Sequence, residues 1–355
     1  MELELTRLEC RGTPRELGLT QGEALREKIQ GFVAQRLDAA AAYLGERGPY
    51  TVKDLLAVGA QCLEASLAFH SEGYAEHVAI AEAARVDPGH LYAATNMTDV
   101  RDVLLLGKRS DSEGCSVALV PENLSRDRKV IAAQTWDLNP TDLDYVVAIH
   151  RIPTDGPRTW SVTCAGALSL VGMNEHGLTV GTTNIKTHGS RVGVGYLSIL
   201  HRALTSRTRE QAADFVRRAP RAGGHTYFLA DRYGAQEFEC SATACVERTL
   251  GTEPIARTNH CLSPTLRALE GEAASNSSVK RLERLKAVLS TGGHNVESIR
   301  ALFSDRSDGV DSINRYAEDD QGTSTNACFV GIPEALTLSI CRGSPDRGRW
   351  VTLSF

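Results

Sequence analysis

The alternation of apolar and polar positions changes character about a third of the way along the chain. Residues 5–10, Leu-Thr-Arg-Leu-Glu-Cys, alternate with a period near two and predict an opening strand. Behind them Thr13-Pro14-Arg15-Glu16 combines a capping hydroxyl, a first-turn proline and an acidic residue, the signals that start a helix. Leu25, Ile29, Phe32 and Val33 carry helical spacing onward to about residue 44. Further helices are predicted over 52–69 and 74–84, and Pro88-Gly89 punctuates before another near Tyr92.

From Cys115 onward the period is that of strands. Runs at 116–120, 130–136, 145–152, 160–165 and 178–183 are short, rich in β-branched residues and bounded by turn residues. Helical spacing returns at 208–218, 275–289 and 295–303. In the second of these Val279, Leu282, Leu285 and Leu289 form one apolar stripe behind a cap at Ser275. Late strands are predicted at 327–331, 336–341 and 350–355, while 189–195 and 305–321 read as long polar surface loops. Closely spaced strands flanked by helices argue for antiparallel sheets in a layered α+β domain rather than for alternating βαβ units. No repeat or low-complexity linker divides the chain, so a single domain over 1–355 is expected.

Composition narrows the class. A hydrophobic fraction of 42% and a charged fraction of 23% are those of a soluble globular protein with a substantial core. A formal net charge of −5 offers no general attraction to nucleic acid or to an anionic membrane. The start, Met1-Glu2-Leu3-Glu4-Leu5, is acidic and lacks the apolar region of a signal peptide, and no apolar run is long enough to span a bilayer. Nine cysteines, an odd number at irregular spacing, fit reduced thiols in the cytoplasm better than a disulfide framework.

One of those cysteines has a distinctive setting. In Glu113-Gly114-Cys115-Ser116-Val117-Ala118-Leu119-Val120 a glycine precedes the thiol and an apolar run follows it. Glycine admits backbone geometry forbidden to other residues. A thiol opening a strand beside such a bond can attack the Gly114 carbonyl, split the chain and leave Cys115 as a new amino terminus. The freed α-amine, with an ordinary pKa of roughly 7.7–8.0, then serves as base for its own side chain. By itself the motif also fits a buried strand cysteine after a turn glycine.

Two downstream segments add to it. Gln134-Thr135-Trp136-Asp137 ends an apolar strand in a carboxylate, placed to hold the Cys115 amine by a charge-assisted hydrogen bond; alone, it reads equally as a turn aspartate before Leu138-Asn139-Pro140. In Ala256-Arg257-Thr258-Asn259-His260 an asparagine at a strand end can aim an amide N–H at a developing oxyanion, with a main-chain amide as second donor. An Asx turn before Pro264 is the alternative.

These pieces resemble the acyl-coenzyme A:6-aminopenicillanic acid acyltransferase (isopenicillin N acyltransferase) family of self-processing cysteine N-terminal-nucleophile hydrolases. The resemblance rests on Gly114-Cys115-Ser116, Gln134-Thr135-Trp136-Asp137, Gly172-Met173-Asn174-Glu175-His176-Gly177-Leu178, Leu229-Ala230-Asp231-Arg232-Tyr233-Gly234 and Thr258-Asn259-His260. Arg15-Glu16-Leu17-Gly18-Leu19-Thr20-Gln21-Gly22 and Ser277-Ser278-Val279-Lys280-Arg281-Leu282 extend it over nearly the whole chain. It implies a four-layer αββα sandwich with antiparallel sheets, cleavage between Gly114 and Cys115, and a helical chain 1–114 that stays associated with a catalytic chain 115–355. It implies Cys115 as nucleophile with Asp137 and Asn259 in support, acting on a small-molecule amide or acyl substrate. Trp136, Thr135, His225 and His260 are the expected pocket residues. The sequence departs from the family pattern at His225, where asparagine is commoner, and in Thr95-Asn96-Met97-Thr98-Asp99, which lacks an arginine often found upstream. A small hydrophobic or peptide-like acyl group is the family-level expectation. Hydrolysis is favoured over transfer because the charge pattern shows no clear coenzyme A site.

Other readings compete. A papain-type Cys–His hydrolase, with His225 or His260 as partner, would need no self-cleavage. A binding or scaffold protein that kept the fold without the chemistry would have no need of cysteine, aspartate and asparagine together. Cys240, Cys245 and His260-Cys261 can be read as zinc ligands, but no turn glycine lies between the first two, so no metal is expected. No cofactor is expected either, save coenzyme A thioester as acyl donor if the enzyme is a transferase; Arg217, Arg218 and Arg221 read as a solvated helix end, with a basic patch for coenzyme A as the alternative. Gly189-Ser190-Arg191-Val192-Gly193-Val194-Gly195 lacks the lysine-serine pair of a phosphate loop.

Overall fold

The computed structural model describes residues 3–105, 114–271 and 273–355. Met1, Glu2 and Glu113, used in the sequence argument, lie outside them. Helices α1 (Pro14–Ala24), α2 (Arg26–Arg47), α3 (Val52–Phe69), α4 (Ser71–Ala84), α5 (Pro88–Thr95) and α6 (Met97–Leu105) follow the opening strand β1 (Thr6–Gly12). Two sheets come next. The first holds β1 with β4 (Val146–Pro153), β5 (Thr159–Cys164), β6 (Val171–Asn174), β7 (Thr179–Asn184), β8 (His225–Asp231), β9 (Gly234–Cys240) and β10 (Cys245–Thr249), in that order. The second runs β11 (Ile255–Arg257), β2 (Gly114–Val120), β3 (Ile131–Leu138), β12 (Ser324–Ile332), β13 (Thr337–Arg342) and β14 (Trp350–Ser354). The remaining helices are α7 (Tyr196–Leu204), α8 (Arg209–Arg218), α9 (Pro264–Arg267), α10 (Asn276–Leu289) and α11 (Val296–Phe303).

Period-two alternation gives each sheet two apolar faces, and the packing uses both. Val117, Leu119, Trp136 and Phe329 of the second sheet join Ala148, Val162, Val180 and Leu229 of the first in one core. The opposite face of the second sheet, with Ala118, Val120, Ala133 and Val330, packs on Leu282, Leu285 and Leu289 of α10 and on Ile299 and Phe303 of α11. Val147 and Ile149 of the first sheet pack outward on Leu17, Ile29, Ile80 and Leu91. The layers therefore run helix, sheet, sheet, helix, the αββα order expected. Among the described residues every strand pairing is antiparallel except that of β1 with β4. Among the described residues no helix is long and apolar enough to cross a membrane.

The structure departs from the expected elements at several points. The first long helix is broken at Leu25, whose φ of −112° and ψ of 17° bend the chain between α1 and α2. The bend lets α1 lie against α4, and Gly18 and Gly22 make room: a Cβ on either would stand 2.3 Å from a main-chain oxygen of α4. Strands β6 and β8–β10 and helices α6 and α7 were not expected. In β9 the buried Glu237 and Glu239 interrupt the apolar period; Arg257 of β11 pairs with both, and Arg248 pairs with Glu237 as well. The 305–321 segment is not a surface loop throughout, because Ile313, Asn314 and Arg315 are buried. In 189–195, Ser190 and Val194 are buried too.

Candidate active site

Cys115 is the second residue of β2, and the register sets it opposite Trp136 with Gly114 opposite Asp137. The Cys115 N–H donates to Asn259 Oδ1 at 2.8 Å. Asn259 follows directly on β11 and Thr258, which pair or pack beside β2, so Cys115, Asp137 and Asn259 come together as the sequence argument requires. The asparagine's two ends are distinguished by their partners. Oδ1 also accepts from Arg281 at 2.9 Å, while Nδ2 donates to the Asn184 carbonyl at 3.0 Å. The amide donor that would serve an oxyanion is thus engaged by a main-chain oxygen in this conformation.

Asp137 is fully buried. Oδ1 accepts the Thr325 hydroxyl at 2.8 Å, and Oδ2 lies 4.0 Å from Arg315 Nε. Burial raises its pKa above the ordinary carboxylate value, against the opposing pull of Arg315 and Arg281. A Cβ on residue 114 would stand 2.7 Å from Asp137 Oδ2 and 3.2 Å from the Arg315 guanidinium. The small residue at 114 is needed for space.

Two arginines that sequence reasoning passed over complete the surroundings. Arg281 donates to the Cys115 carbonyl, to Ser116 Oγ at 3.0 Å and to Ser277 Oγ at 3.2 Å, besides Asn259. Burial, reinforced by Arg315, pushes its pKa down to about 10. Its position on α10 held a signal: residue 281 is one turn before Leu285, on the apolar face, where an exposed arginine has no place. Arg315 donates to Thr323 Oγ1 at 2.7 Å and to Ser277 Oγ, and comes from the segment expected to be a surface loop.

Cys115 opens on a cavity of about 30 Å³, which it shares with Trp136, Asp137, Leu138, Leu170, Tyr196 and His225. Of the expected pocket residues Trp136 and His225 line it; Thr135 and His260 do not. Successive strand residues face opposite ways, so Thr135 points away from Trp136 and takes the Ser116 N–H on its hydroxyl at 3.1 Å. His260 turns towards α10, with Nδ1 2.8 Å from Ser278 Oγ, and burial beside Arg257 holds its pKa down to about 4.

The set-aside readings have places too. Arg221 is buried against the main-chain oxygens of Ser241 and Val216, and Arg217 pairs with Glu247 and Asp214, so of the basic patch only Arg218 is largely exposed. Cys240 and Cys245 face each other across β9 and β10 with their sulfurs 3.1 Å apart. Among the described residues no three histidine, cysteine or acidic side chains are grouped to hold a metal ion.

Comparison with known proteins identifies a family. Residues 124–347 match the model of the family described as acyl-coenzyme A:6-aminopenicillanic acid acyl-transferase. The chain is 24% identical, over 97% of its length and 95% of the other's, to the acyl-coenzyme A:6-aminopenicillanic-acid-acyltransferase 40 kDa form of Emericella nidulans. A Caenorhabditis elegans ortholog of N-acylethanolamine-hydrolyzing acid amidase aligns with a TM-score of 0.45 at 12% identity, covering 68% of this chain and 100% of that one. For penicillin V acylase from Agrobacterium tumefaciens the TM-score is 0.40 at 13% identity, with 64% and 82% covered.

Proposed function

Because this chain belongs to the acyl-coenzyme A:6-aminopenicillanic acid acyl-transferase family, we propose that it is a self-processing cysteine amidohydrolase that cuts a C–N amide bond through an acyl-thioester on Cys115. The observation that carries the reading is the Gly114–Cys115 peptide itself. It lies at a strand end between the Asp137 carboxyl and the Asn259 amide, where no side chain at 114 would fit.

In the processing step the Cys115 thiol adds to the Gly114 carbonyl and displaces the Cys115 nitrogen, giving a thioester and a free α-amine. Water then releases Gly114 as a carboxylate and restores the thiol. The new amine keeps Asn259 Oδ1 as one acceptor and gains Asp137 as a second. In turnover that amine takes the thiol proton, and sulfur adds to the substrate carbonyl. Asn259 Nδ2 leaves or shares the Asn184 carbonyl to hold the oxyanion. The leaving amine recovers the proton, and water hydrolyses the acyl-thioester. Arg281 is a positioning residue: it holds the Cys115 carbonyl and Asn259 in one frame. Hydrolysis rather than transfer is favoured because, of the three arginines of the basic patch, Arg217 is paired with Glu247 and Asp214 and Arg221 is buried against main-chain oxygens. Free thiols throughout fit a reducing cytoplasm.

A second reading is favoured by one contact. His225 Nε2 lies 3.1 Å from Asp99 Oδ1, the orienting half of a Cys–His–Asp arrangement, and the imidazole lines the Cys115 cavity. A thiolate paired with His225 would need no cleavage. Intact mass and amino-terminal sequencing of active protein, beside Cys115→Ala, separate the two. Two fragments, the larger beginning Cys-Ser-Val, with a single chain for the variant, is the expected result. Active protein that remains one chain would falsify the self-processing proposal.

A further inference from the structure

The polar atoms in the wall of the Cys115 cavity outnumber their partners. His225 Nδ1, Gln134 Nε2 and Thr98 Oγ1 all belong to cavity-lining side chains that are more than nine-tenths buried, and none has a hydrogen-bond partner among the described residues. Gln134 and His225 are each held by their other end. Gln134 Oε1 accepts the Thr182 N–H at 2.9 Å, which fixes the amide and leaves Nε2 as a donor. The His225 ring stacks on Tyr196 at 4.4 Å with 14° between planes, and its Nε2 faces Asp99. Asp99 accepts the Tyr196 N–H at 2.7 Å on its other oxygen. A neutral imidazole that donates from Nε2 to the carboxylate presents Nδ1 as an acceptor. Both points where the sequence departs from the family pattern, His225 and the segment ending in Asp99, meet in this one contact.

Buried polar groups are almost always satisfied, by protein, water or ligand. A wall that offers one fixed donor, one fixed acceptor and one adaptable hydroxyl is complementary to a group that carries both N–H and C=O. The cavity is also small, and room for a long unbranched chain would need far more side-chain movement than room for a short one. Resting on the amidohydrolase reading, we propose that the acyl group recognised beside Cys115 is short and peptide-like, with its own N–H directed to His225 Nδ1 and its own carbonyl to Gln134 Nε2. Asp99 acts through His225 as a positioning residue.

A matched pair of p-nitroanilides tests this, one bearing N-acetylglycyl and the other pentanoyl, which have the same chain length but differ in the amide. Sites built to hydrogen-bond a substrate discriminate strongly against analogues that lack the bonding group. The wild type should favour N-acetylglycyl by about tenfold or more in kcat/KM, and His225→Phe and Gln134→Leu should each bring that ratio towards unity. The wild-type comparison stands even if a variant fails to fold. Equal or faster turnover of pentanoyl overturns the inference while leaving amide hydrolysis intact. Equal loss of both substrates in His225→Phe, with Cys115 still the amino terminus, also overturns it, because His225 would then serve the chemistry and not the choice of acyl group. Failure of both compounds to acylate Cys115, read by mass, removes the amidohydrolase reading and this inference together.

Discussion

Gly114 is confined by what stands beside it: an Asp137 oxygen and the Arg315 guanidinium occupy the space where a Cβ would lie. Alanine there would have to displace a buried carboxylate–arginine pair. Gly114→Ala is therefore expected to leave most of the protein as a single chain of 38.4 kDa after a time in which the wild type has processed fully, a difference visible by gel or mass. Asn259 accepts the Cys115 N–H and, in the proposed mechanism, would donate to the oxyanion, so Asn259→Ala removes both contributions. Losing one such donor typically raises a barrier by about 2.7–4 kcal/mol, and turnover of the mature enzyme should fall by about two to three orders of magnitude. Near-normal kcat in that variant would remove Asn259 from the site. The sequence carried Cys115, Asp137 and Asn259 because each sits in a short motif at a strand end. It did not carry Arg281 and Arg315, whose roles depend on which face of α10 meets β2 and on the inward path of the chain at 313–315. Thr135 and His260 were misplaced for a related reason: adjacency in sequence to a site residue says nothing about which side of a strand or turn a side chain takes.

Helix α4 offers a pH-dependent case. His77 is buried in it, donates from Nε2 to the Pro88 carbonyl at 2.9 Å and meets Tyr92 edge-on, so it ties α4 to α5. Burial holds its pKa down to about 4 from an ordinary 6.5. The unfolded chain then binds the proton more tightly than the folded one. This stabilisation is complete above about pH 6.5 and disappears as pH falls towards about 4, a loss of about 3 kcal/mol. Thermal melts between pH 7 and 4.5 should show the wild type losing roughly 4 °C more than His77→Gln, which keeps a donor without the titration. Parallel curves would show that His77 does not carry the effect. At this scale the sequence was most informative where one rule acted alone. Helix α3 covers the residues its spacing predicts, with Thr51 as its cap. Strand β9 was hidden because Glu237 and Glu239 are buried in it against Arg257, which breaks the alternation that marks a half-buried strand.

Across the molecule, the proposed cut would divide the chain between layers that stay packed. The 1–114 piece would keep β1 paired with β4 along Thr6 to Gly12, and Leu17, Leu25, Ile29 and Ile80 would remain buried against Val147, Ile149 and Ala165. Separation would expose that whole apolar face. The two fragments should therefore leave a sizing column as one species without denaturant and part only in urea or guanidinium. Elution of the smaller fragment on its own would contradict the association.

The parallel seam between β1 and β4 also makes the order of assembly dispensable in principle. A strand and a helical layer that dock by surface alone can be supplied in trans, from a second open reading frame. If the larger piece were translated with a removable initiator methionine, its cysteine would lead from the outset. Such a two-gene version would bypass maturation and let the nucleophile be studied apart from the event that unmasks it.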